Sequence, residues 1–200
     1  QHPRLALLNA ADRFLRKELC KRRQKGFIAG FGIRDRSDFR ASRVKSRLGA
    51  IEFLVNVKYR FTLKTAGCYN IYNALAAVAL GRIFGLGYGD ISASLSDFEF
   101  PKGRLKLLRL DGLSFLDDTY NANPSSFAQA LESLAGFKAK GRKILVMADM
   151  LELGKDKEAF HSDLGRIAAG VCDVFIAVGR LATFAARAAS AAGMSDLNIF

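Results

Sequence analysis

Short apolar runs alternate with stretches of helical spacing along most of this chain. That alternation restricts the fold more than any single residue does. Arg4 to Asn9 reads as a buried parallel strand, Ala10 to Cys20 as a helix, and Gly26 to Gly32 as a second strand. Strand, helix, strand in so few residues is a βαβ unit. The pattern changes from Phe39 to Leu63, where Ile51–Val57 and Tyr59–Leu63 predict extended strands of a meander or edge sheet. Asn70 to Phe84 predicts the clearest helix, stopped by Gly85 and Gly87, and Asp90 to Phe98 a shorter one.

Phe98-Glu99-Phe100-Pro101-Lys102-Gly103 is the best linker, since Pro and Gly close a helical pattern just before a strand pattern. A domain boundary is placed there, dividing 1–101 from 102–200. Beyond it come strand patterns at 104–108 and 113–118, a helix at 125–134 and a buried strand at 143–148. A helix at 157–169, a strand at 174–178, a helix at 181–192 and the opening of a further strand at 197–200 follow. Strands alternating with helices predict an α/β fold with a parallel, doubly wound sheet. Ligands of such sheets bind beyond the carboxyl ends of the strands, which places Asp117, Asp118 and Asp149 on the ligand-facing edge.

Charge and composition exclude several classes. Residues 1–66 hold 17 Lys+Arg against 5 Asp+Glu, whereas residues 67–200 balance at 14 and 14. The densest run is Lys21-Arg22-Arg23-Gln24-Lys25, followed by Arg34, Arg36, Arg40, Arg43, Lys45 and Arg47, with Phe27, Phe31 and Phe39 interleaved. A stand-alone basic module that neutralises nucleic-acid phosphates is one reading, and a solvated basic face is the plainer one. A surface facing an anionic small substrate is a third. Cys20, Cys68 and Cys172 form neither a disulfide framework nor a paired metal motif, so no metal-binding residues are expected from them. No apolar run approaches the ~20 residues of a membrane span. Neither GxxxxGK[ST] nor GxGxxG occurs.

Four strings carry chemistry. Asp117-Asp118-Thr119-Tyr120-Asn121-Ala122-Asn123-Pro124 crowds carboxylates, an aromatic ring and amides into a strand-to-helix turn. It suits a nucleotide or polar ligand, through carboxylates on hydroxyls, Tyr stacking and amide recognition, and equally a helix N-terminus with Asx turns. Asn70 and Asn73 share one face of a helical first turn, where they can read an adenine edge, or Asn70 can simply cap the helix. Lys102-Gly103-Arg104 offers a phosphate contact at the linker. Asp149, Glu152 and His161 could do metal or acid–base work, although they lack ligand spacing and a capped loop beside a half-buried His is the simpler reading.

Taken together and in order, these strings resemble the Mur ligases of bacterial cell-wall synthesis. Leu8-Asn9-Ala10-Ala11-Asp12 is similar to the family's LNADD segment, with Ala11 in place of its first Asp. Gly67 to Ala77 is similar to GxHNxxNxxAA, with Tyr69 where His is usual, and Lys102-Gly103-Arg104 resembles the GR that begins the C-terminal domain. Asp117 to Pro124 is similar to DDxYNANP and Asp149 to Gly154 to DMxELG, the two strings that single out one member among its sisters.

The resemblance implies the C-terminal part of a central ATP-binding domain over 1–101 and the first part of a Rossmann-like C-terminal ligase domain over 102–200. It implies a fragment whose phosphate loop lies upstream. It also implies an ATP-dependent ligase of peptidoglycan precursor synthesis, cytoplasmic and monomeric when intact. ATP and Mg2+ are the implied cofactors, with the metal held mainly upstream. UDP-N-acetylmuramoyl-tripeptide and D-alanyl-D-alanine are the implied substrates, joined through an acyl phosphate. By the same resemblance Asn70 and Asn73 would contact adenine and Arg104 the ATP phosphates. Asp118 or Thr119 would lie at the ribose, Tyr120 against the base, and Asn121 and Asn123 along the substrate cleft. No catalytic residue is expected within the chain itself, and a sister ligase of the folylpolyglutamate type is the alternative within the family.

Overall fold

The computed structural model describes residues 5–22, 28–33, 37–47 and 49–200. The expectations for Arg4, Phe27, Arg34, Arg36 and most of the 21–25 basic run fall outside the described residues. The chain divides into two compact units, Gln1–Pro101 and Lys102–Phe200.

The first unit is built on one five-stranded sheet in chain order: β1 (Ala6–Asn9), β2 (Ile28–Ile33), β3 (Phe39–Arg47), β4 (Ala50–Val55) and β5 (Tyr59–Leu63). β1 pairs with β2, and β2 with β3, in parallel, whereas β3–β4 and β4–β5 are antiparallel. The expected βαβ opening is therefore present, with α1 (Arg13–Arg22) as its helix. Asp12 starts that helix, its Oδ1 accepting from the backbone N–H groups of Phe14 and Leu15 at 2.8 and 2.9 Å. The expected meander strands are β4 and β5, and β3 extends the meander ahead of them. Its first strand is polar and basic, and a register shift between Ser42 and Lys45 bends it, with Arg43 at φ 50°.

Helices α2 (Asn70–Ile83) and α3 (Tyr88–Asp97) complete this unit. Its core is Phe53, Phe61, Ile51, Leu63, Ile71, Leu75 and Val78, all nearly inaccessible to water. Stacked Tyr59 and Tyr88, with ring centroids 3.7 Å apart, tie α3 to β5.

The second unit departs from the expected single parallel sheet at its start. β6 (Lys106–Leu110) and β7 (Leu113–Asp117) form an antiparallel hairpin of their own. Only two residues separate them, Asp111 and Gly112, both at positive φ. A connection that short permits an antiparallel pair and no crossover. After α4 (Pro124–Gly136) the expected pattern holds: β8 (Ile144–Ala148) pairs in parallel with β9 (Val174–Val178) across α5 (Lys157–Ala169). Then comes α6 (Ala182–Ala191), and Ile199 bridges in parallel to Phe175, the opening of the last expected strand.

Leu131, Met147, Leu164, Phe175 and Ala185 form the second core. β8 is not the fully buried strand that its composition predicts. Met147 is buried, while Ile144 and Val146 remain more than half exposed, because their alternate positions point away from this core. Among the described residues, no helix is long and apolar enough to cross a membrane.

Candidate functional site

The turn after β7 is bound to the chain that precedes β6, and both belong to the second unit. Asp117 Oδ2 accepts from Gly103 N–H at 3.1 Å, and Asp118 Oδ1 accepts from Leu105 N–H at 3.1 Å. Tyr120 N–H donates to Gly103 C=O at 3.1 Å. Three hydrogen bonds thus hold residues 103–105 against residues 117–120. Gly103 has φ +73°, and a Cβ there would stand 2.7 Å from Tyr120 N, so both the backbone angle and the close approach require glycine. Arg104, between the two anchored residues, lays its guanidinium 4.0 Å over the Tyr120 ring.

The two carboxylates differ in character. The Thr119 hydroxyl donates to Asp117 Oδ1 at 2.7 Å, and the backbone N–H groups of Thr119 and Gly103 add to it. These bonds outweigh partial burial and hold the Asp117 carboxyl below the ordinary aspartate range. Asp118 is pushed up, chiefly by burial and also by the charge of Asp117, against the opposing pull of Leu105 N–H and Arg104. The predicted residues Arg104, Asp118, Thr119 and Tyr120 are therefore brought together. Asp117 and Gly103 join them as the residues that fix the turn.

Asn121 is exposed on the same turn. Asn123 is engaged as the cap of α4: its Oδ1 accepts from Ser126 N–H at 2.9 Å, and Ser126 Oγ accepts from Asn123 N–H at 3.1 Å. The capping alternative thus holds for Asn123.

The amide pair lies in the first unit. Asn70 does not cap α2, since Tyr69 takes that position and makes no side-chain cap. Buried at 4% exposure, Asn70 instead donates through Nδ2 to Thr65 Oγ1 at 3.1 Å and accepts through Oδ1 from Asn73 Nδ2 at 3.1 Å. Asn73 is the exposed member of the pair. Thr65 also accepts from Gly67 N–H at 3.2 Å. No motif signals Thr65, a lone hydroxyl before the helix.

The Asp149–His161 pair is architectural. Asp149 Oδ1 accepts from Leu181 and Ala182 N–H, both at 2.8 Å, and so holds the N-terminus of α6. His161 is fully buried rather than half-buried. Its Nε2 accepts from Met150 N–H at 3.0 Å and its Nδ1 lies 2.6 Å from Lys157 C=O, the pattern of a neutral ring with the proton on Nδ1. Both nitrogens are engaged by main-chain groups. Among the described residues, no group of three His, Cys, Asp or Glu side chains is placed to hold a metal ion. These side chains do not fit a magnesium centre.

Comparison with known proteins puts this geometry in context. The family model described as the Mur ligase middle domain matches residues 1–81, and that described as the Mur ligase glutamate ligase domain matches residues 103–199. The chain is 33% identical over 162 residues to the UDP-N-acetylmuramoyl-tripeptide–D-alanyl-D-alanine ligase of Bacillus subtilis, covering 80% of this chain and 35% of that enzyme. It is 36% identical over 150 residues to the Escherichia coli enzyme of the same name, covering 72% and 32%. A crystal structure of MurF from Acinetobacter baumannii superposes with a TM-score of 0.84 at 30% identity, over 100% of this chain and 42% of that one. The chain thus spans about a third of the length of the curated relatives it matches.

Proposed function

The chain belongs to the Mur ligase family, and on that premise we propose that it forms the nucleotide-facing central part of an ATP-dependent amide-bond ligase. Residues 1–101 would be the end of the ATP-binding domain, and residues 102–200 the beginning of the C-terminal ligase domain. The whole protein would add D-alanyl-D-alanine to UDP-N-acetylmuramoyl-tripeptide in the cytoplasm, as a monomer. ATP would phosphorylate the tripeptide carboxylate, and the free amine of the dipeptide would displace phosphate from that acyl phosphate. Magnesium would be held by parts of the protein outside this chain.

One observation carries the reading: the linker residue Arg104 is fixed on the same turn as Asp118, Thr119 and Tyr120. A guanidinium suited to phosphate, a carboxylate and a hydroxyl suited to ribose, and an exposed ring suited to a base are presented together. Their work is positioning, which suits a reaction driven by orientation and charge stabilisation. Within the first unit, Asn73 would offer an amide contact to adenine, with Asn70 behind it. Asn121 would line the substrate cleft. The similarity to ligases named for this reaction supports the same reading.

The test is a phosphate-release assay on the intact protein with ATP and UDP-N-acetylmuramoyl-tripeptide. Release that requires D-alanyl-D-alanine is expected. Release that requires glutamate instead would assign the protein to a sister ligase, and no release with either amine would remove the proposal.

A further inference from the structure

We infer that Thr65 is a positioning residue for nucleotide selection: through Asn70 it sets which edge of Asn73 faces the purine. This rests on the proposed adenine contact at the start of α2. The hydrogen bonds run in one direction. Asn73 Nδ2 donates to Asn70 Oδ1, and Asn70 Nδ2 donates to Thr65 Oγ1, each at 3.1 Å. Thr65 is 1% exposed and Asn70 4%, so water cannot substitute for either partner. Asn73, by contrast, is exposed.

With one N–H spent on Asn70, Asn73 is left with its carbonyl oxygen and one N–H. That acceptor–donor pair matches the 6-amino group and N7 of adenine, the pairing by which an Asn side chain reads that base. A 6-oxo purine offers two acceptors on the same edge and would set an oxygen against the Asn73 oxygen. If Asn70 were released, its amide could turn over. Asn73 would then direct its oxygen inward and present two N–H groups, the edge that suits a 6-oxo purine. The Thr65 hydroxyl is what Asn70 Nδ2 rests on, and valine at this position fills the same space without it.

The experiment compares the unsubstituted intact protein with T65V and T65S, measuring Kd for ATP and for inosine triphosphate by calorimetry, with KM and kcat for each. T65V is expected to weaken ATP binding about tenfold, to lose most of the preference for ATP over inosine triphosphate, and to leave kcat within about twofold. T65S, which keeps the hydroxyl, is expected to restore both affinity and preference. N73A, at an exposed position that does not threaten the fold, is expected to lose the preference as well. Unchanged preference in T65V or N73A would overturn the inference, and so would equal losses for both nucleotides or failure of T65S to restore them. An unsubstituted protein that binds no ATP would overturn the functional reading and the inference with it, a result seen before any substitution is made.

Discussion

The guanidinium of Arg104 rests 4.0 Å above the ring of Tyr120. Tyr120 is 67% exposed, so the ring has a second face open to a base while the first supports the cation. A cation–π contact at an exposed site contributes on the order of 0.5–1 kcal/mol. Y120A is expected to release Arg104 and remove the stacking face, raising KM for ATP several-fold in the intact protein. Y120F keeps the ring and is expected to stay near the unsubstituted value. Equal KM values for Y120A and Y120F would show that the ring contributes nothing.

Gly103 sets where Arg104 starts from. G103A would place a Cβ 2.7 Å from Tyr120 N at φ +73°, and neither the backbone angle nor the neighbouring main chain can relax cheaply. The turn would have to part from the linker, breaking the bonds from Gly103 to Asp117 and from Tyr120 to Gly103. A loss of about 2–3 kcal/mol in unfolding free energy is expected, with ATP affinity falling as well. Denaturant unfolding monitored by circular dichroism measures the first and calorimetry the second.

The two aspartates give opposite pH signatures. The Asp117 carboxyl is lowered in the fold, so its contribution is present above the ordinary aspartate range and is lost as pH falls through the lowered value. Asp118 is raised, so the folded protein holds its proton more tightly than the unfolded chain; its contribution is present at low pH and is lost as pH rises through the raised value. D117N is therefore expected to lower Tm at about pH 7, with the difference closing toward about pH 3. D118N is expected to raise Tm at about pH 7, since an amide oxygen can still accept from Leu105 N–H, and this gain also closes on acidification. Melting curves across that range check both signs, and identical behaviour of the two variants would contradict the assignment.

Much of this architecture can be read from the chain because period and punctuation agree. The helices α2, α4, α5 and α6, the strands β4, β5 and β9, and the Pro101–Gly103 break all carry their own local signals. β3 is hidden because Phe39–Arg47 alternates weakly and is rich in Arg and Lys; it is a strand through pairing with β2 and β4 rather than through its own propensity. The antiparallel placing of β6 and β7 depends on a two-residue connection, which an alternation rule for parallel sheets overlooks. At the site, residue types on the Asp117–Asn123 turn signal polar chemistry but cannot divide its labour. Only geometry separates Asn123, spent on capping α4, from Asp118 and Tyr120. Thr65 has no sequence signal because its role exists only through a buried partner five residues away.

His161 offers a choice between chemistry and architecture that a single pair of variants can decide. Its ring joins Met150 N–H at 3.0 Å to Lys157 C=O at 2.6 Å in a site with no exposure. H161L leaves a buried donor and a buried acceptor unpaired, at a cost of about 1–3 kcal/mol for each group. The loop that begins at Met150 then loses its attachment to α5. H161Q retains one acceptor and one donor and should lose less. The expected order of Tm is unsubstituted, H161Q, H161L, with kcat of the intact protein nearly unchanged in H161Q at temperatures where it is folded. A general acid–base would behave in the opposite way: H161Q would keep its Tm and lose kcat by 10²-fold or more, roughly the scale of such catalysis.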